Sequence, residues 1–205
     1  EPRPIEGVVI PDSPAMAPAG RNSMHDDAWA TDAYAWAGPL GRDPEVDTAW
    51  YGIEECATLA FDSRDRMVAL CGDVKGPVMH VLDTGTMHAL ATRRLPERKP
   101  SAEGKKPWED LCGGAYFYLD AADRAVVATT DQRVLVLTTS DDAGRPRLRQ
   151  VESHDLDEQI PGRDCLIALM PDWSGRIWWV TQNGLVGALD PATGASRVFD
   201  PHEQI

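Results

Sequence analysis

The chain has 205 residues, of which 42% are apolar, and a formal net charge of −13. This length allows one domain with a buried core, and the apolar fraction excludes a wholly disordered chain. The charge argues against non-specific binding to nucleic acid or to an anionic membrane, and no apolar stretch approaches the roughly 18 residues that span a bilayer.

The N-terminal segment, residues 1–52, is rich in proline and acidic residues and shows little of the alternation typical of strands. We expect an irregular segment or a degenerate repeat here, with its aromatic side chains packed as an ordinary loop. The alternative is that His25 and Asp26 bind a metal or act as acid–base groups, because neutral imidazole and carboxylate are both metal ligands. The opening Glu1-Pro2-Arg3-Pro4 favours a secreted or periplasmic location over a cytoplasmic one.

Three copies of the pattern Asp-x-x-[Asp/Gly]-Arg follow, each leading into four mainly apolar residues. They begin at Asp62, Asp120 and Asp172, at intervals of 58 and 52 residues. An aspartate at the start of a turn accepts backbone N–H groups, and Asp or Gly late in the turn tolerates a positive φ. Each copy therefore predicts a β-hairpin turn.

Apolar and β-branched runs around these turns predict four strands per copy, joined as an antiparallel meander of about fifty residues. The predicted strands are 57–61, 67–70, 77–82 and 87–92, then 115–119, 125–128, 133–137 and 148–151, then 166–170, 177–180, 185–189 and 195–199. The units are expected to occupy residues 53–100, 101–160 and 161–205, the middle one with a basic and an acidic loop. No amphipathic helix is expected between them.

Four-stranded units in series are typical of the blades of a β-propeller, an all-β fold. Residues 172–180, DWSGRIWWV, and residues 190–194, DPATG, resemble blades of the NHL, YVTN and gluconolactonase type. The resemblance implies a propeller with three blades, which is fewer than close a ring. We therefore expect a partial ring of a larger propeller, or a small four-bladed one in which residues 1–52 supply the fourth blade. The resemblance implies no particular function.

Cys56, Cys112 and Cys165 precede the three repeat aspartates by six, eight and seven residues, and acidic residues stand just before each. In a propeller these positions open the innermost strands, so the three residues are expected to share one mouth of the channel. Cysteine also suits a crowded channel wall as a small apolar residue, which is the simpler interpretation. The alternative is a metal site in which the three thiolates, with His25 and Asp26, bind copper or zinc, whereas acids alone would favour calcium. Cys71 lies outside this pattern and is expected in the core.

Three functions stay open. The first is an enzyme with its site at the channel mouth, performing metal-assisted hydrolysis or isomerisation of a polar metabolite. The second is a non-catalytic binding or assembly module for a small molecule or a protein partner. The third is an oligomer or a second chain that completes the ring.

Overall fold

The computed structural model describes residues 13–17, 56, 58–73, 76–97, 116–161 and 164–199. These residues contain twelve strands and no helix, and the strands form three four-stranded antiparallel sheets. The predicted all-β class and the four-stranded units are therefore confirmed. The described part of the chain has no helix of the length and apolar character needed to cross a membrane.

Each sheet is a meander in which the strands pair in chain order. The first sheet contains β1 (Thr58–Phe61), β2 (Met67–Asp73), β3 (Gly76–Leu82) and β4 (Ala89–Arg94). The second contains β5 (Phe117–Leu119), β6 (Arg124–Ala128), β7 (Arg133–Ser140) and β8 (Pro146–Asp155). The third contains β9 (Leu166–Pro171), β10 (Ile177–Thr181), β11 (Val186–Leu189) and β12 (Ser196–Phe199). The acidic loop of the middle unit, expected at 152–158, is wrong for residues 152–155, which belong to β8 because they pair with the start of β7.

The repeated pattern forms the same turn in all three sheets. In the first, Oδ1 of Asp62 accepts the backbone N–H groups of Arg64 and Arg66, both at 3.0 Å, and Oδ2 accepts the Arg66 Nε–H at 2.8 Å. The fourth residue of each copy has a positive φ: 58° at Asp65, 56° at Asp123 and 85° at Gly175. The predicted turn is therefore present, and in it one aspartate side chain accepts hydrogen bonds from two backbone N–H groups.

A fourth copy of this motif, Asp141 to Arg145, joins β7 to β8, where the sequence predicts a turn at 140–144 but not this likeness. Oδ1 of Asp141 accepts the N–H groups of Ala143 and Arg145 at 3.0 and 2.9 Å, and Oδ2 accepts the Arg145 Nε–H at 2.8 Å. Gly144 takes the left-handed position with a φ of 75°. The motif thus belongs to the turn rather than to one place in the repeat, so equal spacing along the chain does not reveal its copy between the third and fourth strands.

The second sheet is buried on both faces, because its neighbours pack against it from opposite sides. One face packs with the first sheet around Phe117 and Leu135, and the other packs with the third sheet around Val136 and Trp179. The first strands of the three sheets also follow one another, since β1 contacts β5 and β5 contacts β9. The sheets therefore form a series of three, with their leading strands adjacent.

The third sheet presents an aromatic face away from the second sheet. Trp178 alternates with the inward Ile177 and Trp179, so its side chain lies on the opposite face. Its ring stacks on Phe199 with centroids 5.7 Å apart, and the Arg197 guanidinium lies 4.7 Å from the Phe199 centroid. The first sheet carries a smaller apolar cluster, centred on Ala69, on its own outer face.

Candidate functional site

A cleft of about 230 Å³ lies between the second and third sheets, beside the repeated turns. Its apolar walls come from facing strands and turns of the two sheets: Tyr118, Val126, Val136, Pro171, Ile177 and Pro191. Ala15, from the short N-terminal stretch 13–17, adds to the wall. This stretch is held against the second sheet because the Ala17 N–H donates to the Leu119 carbonyl at 3.0 Å.

Three charged side chains line the cleft, and two of them, the carboxylates of Asp120 and Glu152, hold the guanidinium of Arg124 in place. Its Nε–H donates to Asp120 Oδ2 at 2.7 Å and its Nη1–H donates to Glu152 Oε1 at 2.8 Å. Burial lowers the pKa of the guanidinium, but the hydrogen bonds and charges of Asp120 and Glu152 outweigh this and raise it above its usual value. Arg124 is therefore a fixed cation, and the three side chains together carry one net negative charge.

The repeated sequence motif contains Asp120 and Arg124 but not Glu152. Asp120 and Arg124 are the first and fifth residues of the second turn motif. Glu152 reaches them because β8 pairs with β7 in a register that sets Glu152 opposite Val136. That register contains a shift between Val136 and Leu137, which strand alternation in the sequence does not reveal.

Tyr118 contributes a buried phenol to the wall, with only 2% of its surface exposed. Burial, and then the charge of Asp120, raises the pKa of this phenol well above its usual value. Tyr118 is therefore neutral at all physiological pH values and keeps its O–H as a hydrogen-bond donor.

The first and second sheets close the equivalent space with polar side chains. The Ser63 N–H donates to Asp123 Oδ1 at 3.0 Å, and the Ser63 hydroxyl donates to Asp123 Oδ2. Beside this pair, the Arg64 guanidinium donates to the Gly144 carbonyl of the turn between β7 and β8. Two turns of neighbouring sheets are thus joined directly.

Between the second and third sheets the matching positions hold small residues. Ala121 and Ala122 stand where the first turn has Ser63 and Arg64, and Gly175 stands where the second turn has Asp123. All three small residues line the cleft, and a Cβ built on Gly175 would meet no atom within 4 Å. The cleft is therefore the space that larger side chains fill at the first interface.

The three cysteines within the described residues are all in disulfides. Cys56, just before β1, bonds to the buried Cys71 of β2, with Cα atoms 3.8 Å apart. Cys165 is disulfide-bonded as well, and its partner lies outside the described residues. A sulfur in a disulfide offers no thiolate to a metal. The expectation that Cys71 is buried is correct, but it omitted the bond that Cys71 makes.

Only two of the five residues proposed to bind a metal are among the described residues. His25, Asp26 and Cys112 lie outside the described residues, while Cys56 and Cys165 are the bonded sulfurs just mentioned. Within the described ranges, no three or more His, Cys, Asp or Glu side chains come together as a group that could hold a metal ion. A copper, zinc or calcium site, and metal-assisted chemistry with it, stay predictions.

No protein-family model matches this sequence, and no curated protein matches it. Function is therefore inferred from the cleft itself. Apolar walls, a buried phenol and one fixed arginine can bind and orient a small ligand, which is the usual composition of a ligand pocket.

Proposed function

We propose that the chain is a non-catalytic binding module built from β-propeller blades, and that its ligand occupies the cleft between the second and third sheets. The observation that carries the proposal is the contrast between two equivalent interfaces. One is closed by Ser63, Arg64 and Asp123, and the other is open at Ala121, Ala122 and Gly175.

The propeller is supported by how the sheets follow one another. A propeller places the first strands of successive blades around its axis and packs the sheets face to face. The contacts of β1 with β5 and of β5 with β9, and the two buried faces of the second sheet, fit this arrangement. Three sheets are fewer than a ring needs, so further blades would come from other residues or from another chain. The molar mass in solution, measured by light scattering, distinguishes a monomer from a ring completed by a second copy.

Binding is favoured over catalysis by the state of the carboxylates in the cleft. General acid–base chemistry needs a carboxyl group within reach of substrate and able to exchange a proton. Both carboxylates here hold the Arg124 guanidinium, and Asp120 also accepts the N–H groups of Ala122 and Arg124, each at 2.9 Å. The two carboxylates therefore hold Arg124 in position at the wall of the cleft.

The disulfides support an oxidising compartment. Cytosolic thiols are kept reduced, whereas the periplasm and the exterior of the cell allow disulfides to persist. The Cys56–Cys71 bond and the bonded state of Cys165 therefore favour a secreted or periplasmic location.

The test compares the wild-type protein with a variant whose cleft is closed in the way the first interface is closed. The double change Ala121→Ser and Gly175→Asp rebuilds the Ser63–Asp123 pair, and Asp is acceptable at 175 because Asp65 and Asp123 occupy the same turn position at φ of 58° and 56°. A library of small polar fragments is screened against both proteins by ligand-observed NMR. We expect fragments that bind the wild type and not the double variant.

The matched control is Ala143→Ser, which adds the same hydroxyl to an exposed turn of the second sheet. It should keep every fragment that the wild type binds. If no fragment binds the wild type, or if the double variant keeps the same fragments with unchanged affinity, the cleft is not a ligand site.

A further inference from the structure

We infer that the ligand of this cleft carries an arginine-type cation, a guanidinium or ammonium group on an alkyl chain. The inference rests on the proposed binding function and names the chemistry of its ligand. Two independent features of the protein support it: what fills the equivalent space between the first two sheets, and the charge of the residues around the cleft.

The first interface already contains a guanidinium in the corresponding place. Arg64 extends from the turn between β1 and β2 and donates to the carbonyl of Gly144 in the neighbouring sheet. At the second interface Ala122 replaces Arg64, and the opposing turn is the one between β11 and β12. Pro191 of this turn lines the cleft. The turn also contains a left-handed glycine, Gly194 with a φ of 72° against 75° at Gly144, but Gly194 donates to a carbonyl four residues back and Gly144 to one three residues back, so the two turns differ in length. A guanidinium supplied by a ligand would replace the side chain that Ala122 lacks.

The charge of the lining favours a cation over an anion. An arginine in a pocket commonly indicates an anionic ligand, but the carboxylates of Asp120 and Glu152 already bind Arg124 and exceed its charge by one. Besides burial, the charge of Asp120 raises the pKa of Tyr118 by more than the charge of Arg124 lowers it, and the charge of Asp172 adds to the rise, as expected in a negative potential. The whole chain, at −13, adds a long-range field of the same sign.

The size of the cleft fits one side chain. About 230 Å³ lies below the range of roughly 300 to 1,000 Å³ that is typical of pockets for drug-sized ligands. The apolar walls at Val126 and Ile177 suit the methylene stem of an arginine, while its charged end meets the polar turns. An amino acid, an amine of similar length or the arginine of a peptide would all present this group.

The experiment titrates three small molecules into the ¹⁵N-labelled protein and follows its amide resonances by NMR. L-Arginine carries the guanidinium together with an α-ammonium and an α-carboxylate. Agmatine lacks the carboxylate and carries the guanidinium and an ammonium group, and L-citrulline is nearly isosteric with arginine but has a neutral side chain. We expect arginine and agmatine to shift the amides of Ala121, Ala122 and Gly175, with agmatine binding at least as tightly because it lacks the carboxylate. Citrulline should bind at least about tenfold more weakly.

The matched variant is Ala122→Arg, which supplies the cation from the chain itself as Arg64 does at the first interface. It should weaken agmatine binding at least about tenfold, whereas Ala143→Arg, on an exposed turn, should leave it unchanged. Thermal unfolding checks that both variants fold. If Ala122→Arg fails to fold, the closed double variant Ala121→Ser/Gly175→Asp takes its place.

The outcomes separate this inference from the proposed function. Equal affinity for citrulline and arginine, or agmatine binding that survives Ala122→Arg, would overturn the cationic ligand. If neutral fragments bind the cleft and agmatine does not compete with them, the binding function stands and the ligand class is wrong. If neither fragments nor agmatine bind, both fail.

Discussion

Replacing Gly187 by alanine should destabilise the protein, because Gly187 lies against the face of a buried tryptophan. Gly187 on β11 pairs with Trp179 on β10, and Trp179 has 0% of its surface exposed. A Cβ at position 187 would lie 2.0 Å from Cζ2 and 2.2 Å from Cε2 of the indole. Carbon atoms in contact lie about 3.5–4.0 Å apart, so either the indole or β11 must move.

The magnitude follows from two opposing effects. Overpacking a core costs about 1–3 kcal/mol of unfolding free energy, and a contact this close belongs at the upper end. Alanine in a strand recovers about 0.5–1 kcal/mol relative to glycine, because the unfolded chain loses less entropy on folding. The net loss should be about 2 kcal/mol, which corresponds to a fall in Tm of roughly 4–8 °C for a chain of this length.

Urea denaturation followed by tryptophan fluorescence measures this loss. The control is Gly85→Ala, because a Cβ on Gly85 would be 3.4 Å from its nearest atom, Asp83 Oδ1, and Gly85 has no positive φ. Gly85→Ala should change the unfolding free energy by less than about 0.5 kcal/mol. The difference between the two variants isolates the contact with Trp179 from the general effect of replacing glycine.

A double-mutant cycle with Trp179→Phe identifies the contact directly. The indole N–H of Trp179 has no hydrogen-bond partner in the described residues, so this change breaks no hydrogen bond found there. In the Trp179→Phe background the cost of Gly187→Ala should fall below about 1 kcal/mol, since the ring atoms that the new Cβ would meet are gone. A cost that is the same in both backgrounds, or no larger than that of Gly85→Ala, would refute the argument.

Two further predictions concern the turns and the disulfide. Arg66→Ala should cost about 3–5 kcal/mol in urea denaturation, because it leaves the buried carboxylate of Asp62 without its cationic partner. Arg145→Ala in the same turn geometry should change nothing measurable, since 80% of the Arg145 side chain is exposed. Equal losses in the two variants would mean that burial does not decide the strength of this turn. Replacing both Cys56 and Cys71 by serine should cost up to about 3 kcal/mol, the loop-closure entropy for a separation of 15 residues, and peptide mapping under non-reducing conditions should recover this pair from the wild type. Free thiols at both positions in the mapped protein would contradict the structure.

Most of the strand pattern was accessible from sequence because the interactions that define it are local. The turn at Asp172 is held by bonds to Ser174 and Arg176, two and four residues away. These bonds, with that from the Trp178 indole, lower the pKa of Asp172 although burial acts to raise it. A pattern of five residues is enough to specify such a turn, and the apolar run after it specifies the strand.

The bounds of strands were predicted well for the buried β6, expected over 125–128 and found at Arg124–Ala128, and least well for the largely exposed β8. β8 was expected over 148–151 and extends over Pro146–Asp155. Its residues alternate between half-buried and exposed, so its sequence is largely polar and resembles a loop. The length of β8 follows from its partner β7, a strand of eight residues. One face of β7 packs toward the first sheet and the other toward the third sheet.

The cysteines illustrate how equal spacing can group residues that differ in their partners. Cys56 and Cys165 occupy similar places before the first strands, and sequence spacing suggested a shared set of thiols. The structure pairs Cys56 with Cys71, which sequence spacing assigned to the core. Spacing reports position within a repeat, but a disulfide depends on which Cβ atoms meet, and here β2 brings its buried Cys71 back to the entrance of β1.

The amino-acid sequence by itself determined the all-β class, the three four-stranded units and the aspartate turns, because each depends on contacts within a few residues along the chain. The tertiary structure alone decided where the protein has an opening. Ser63 and Asp123 are 60 residues apart, and their meeting closes one interface. The loss of the equivalent side chains at Ala121 and Gly175 leaves the other open. Small residues in one turn do not predict a cleft. The cleft lies between two turns that are distant in the sequence, and the packing of the sheets brings them together.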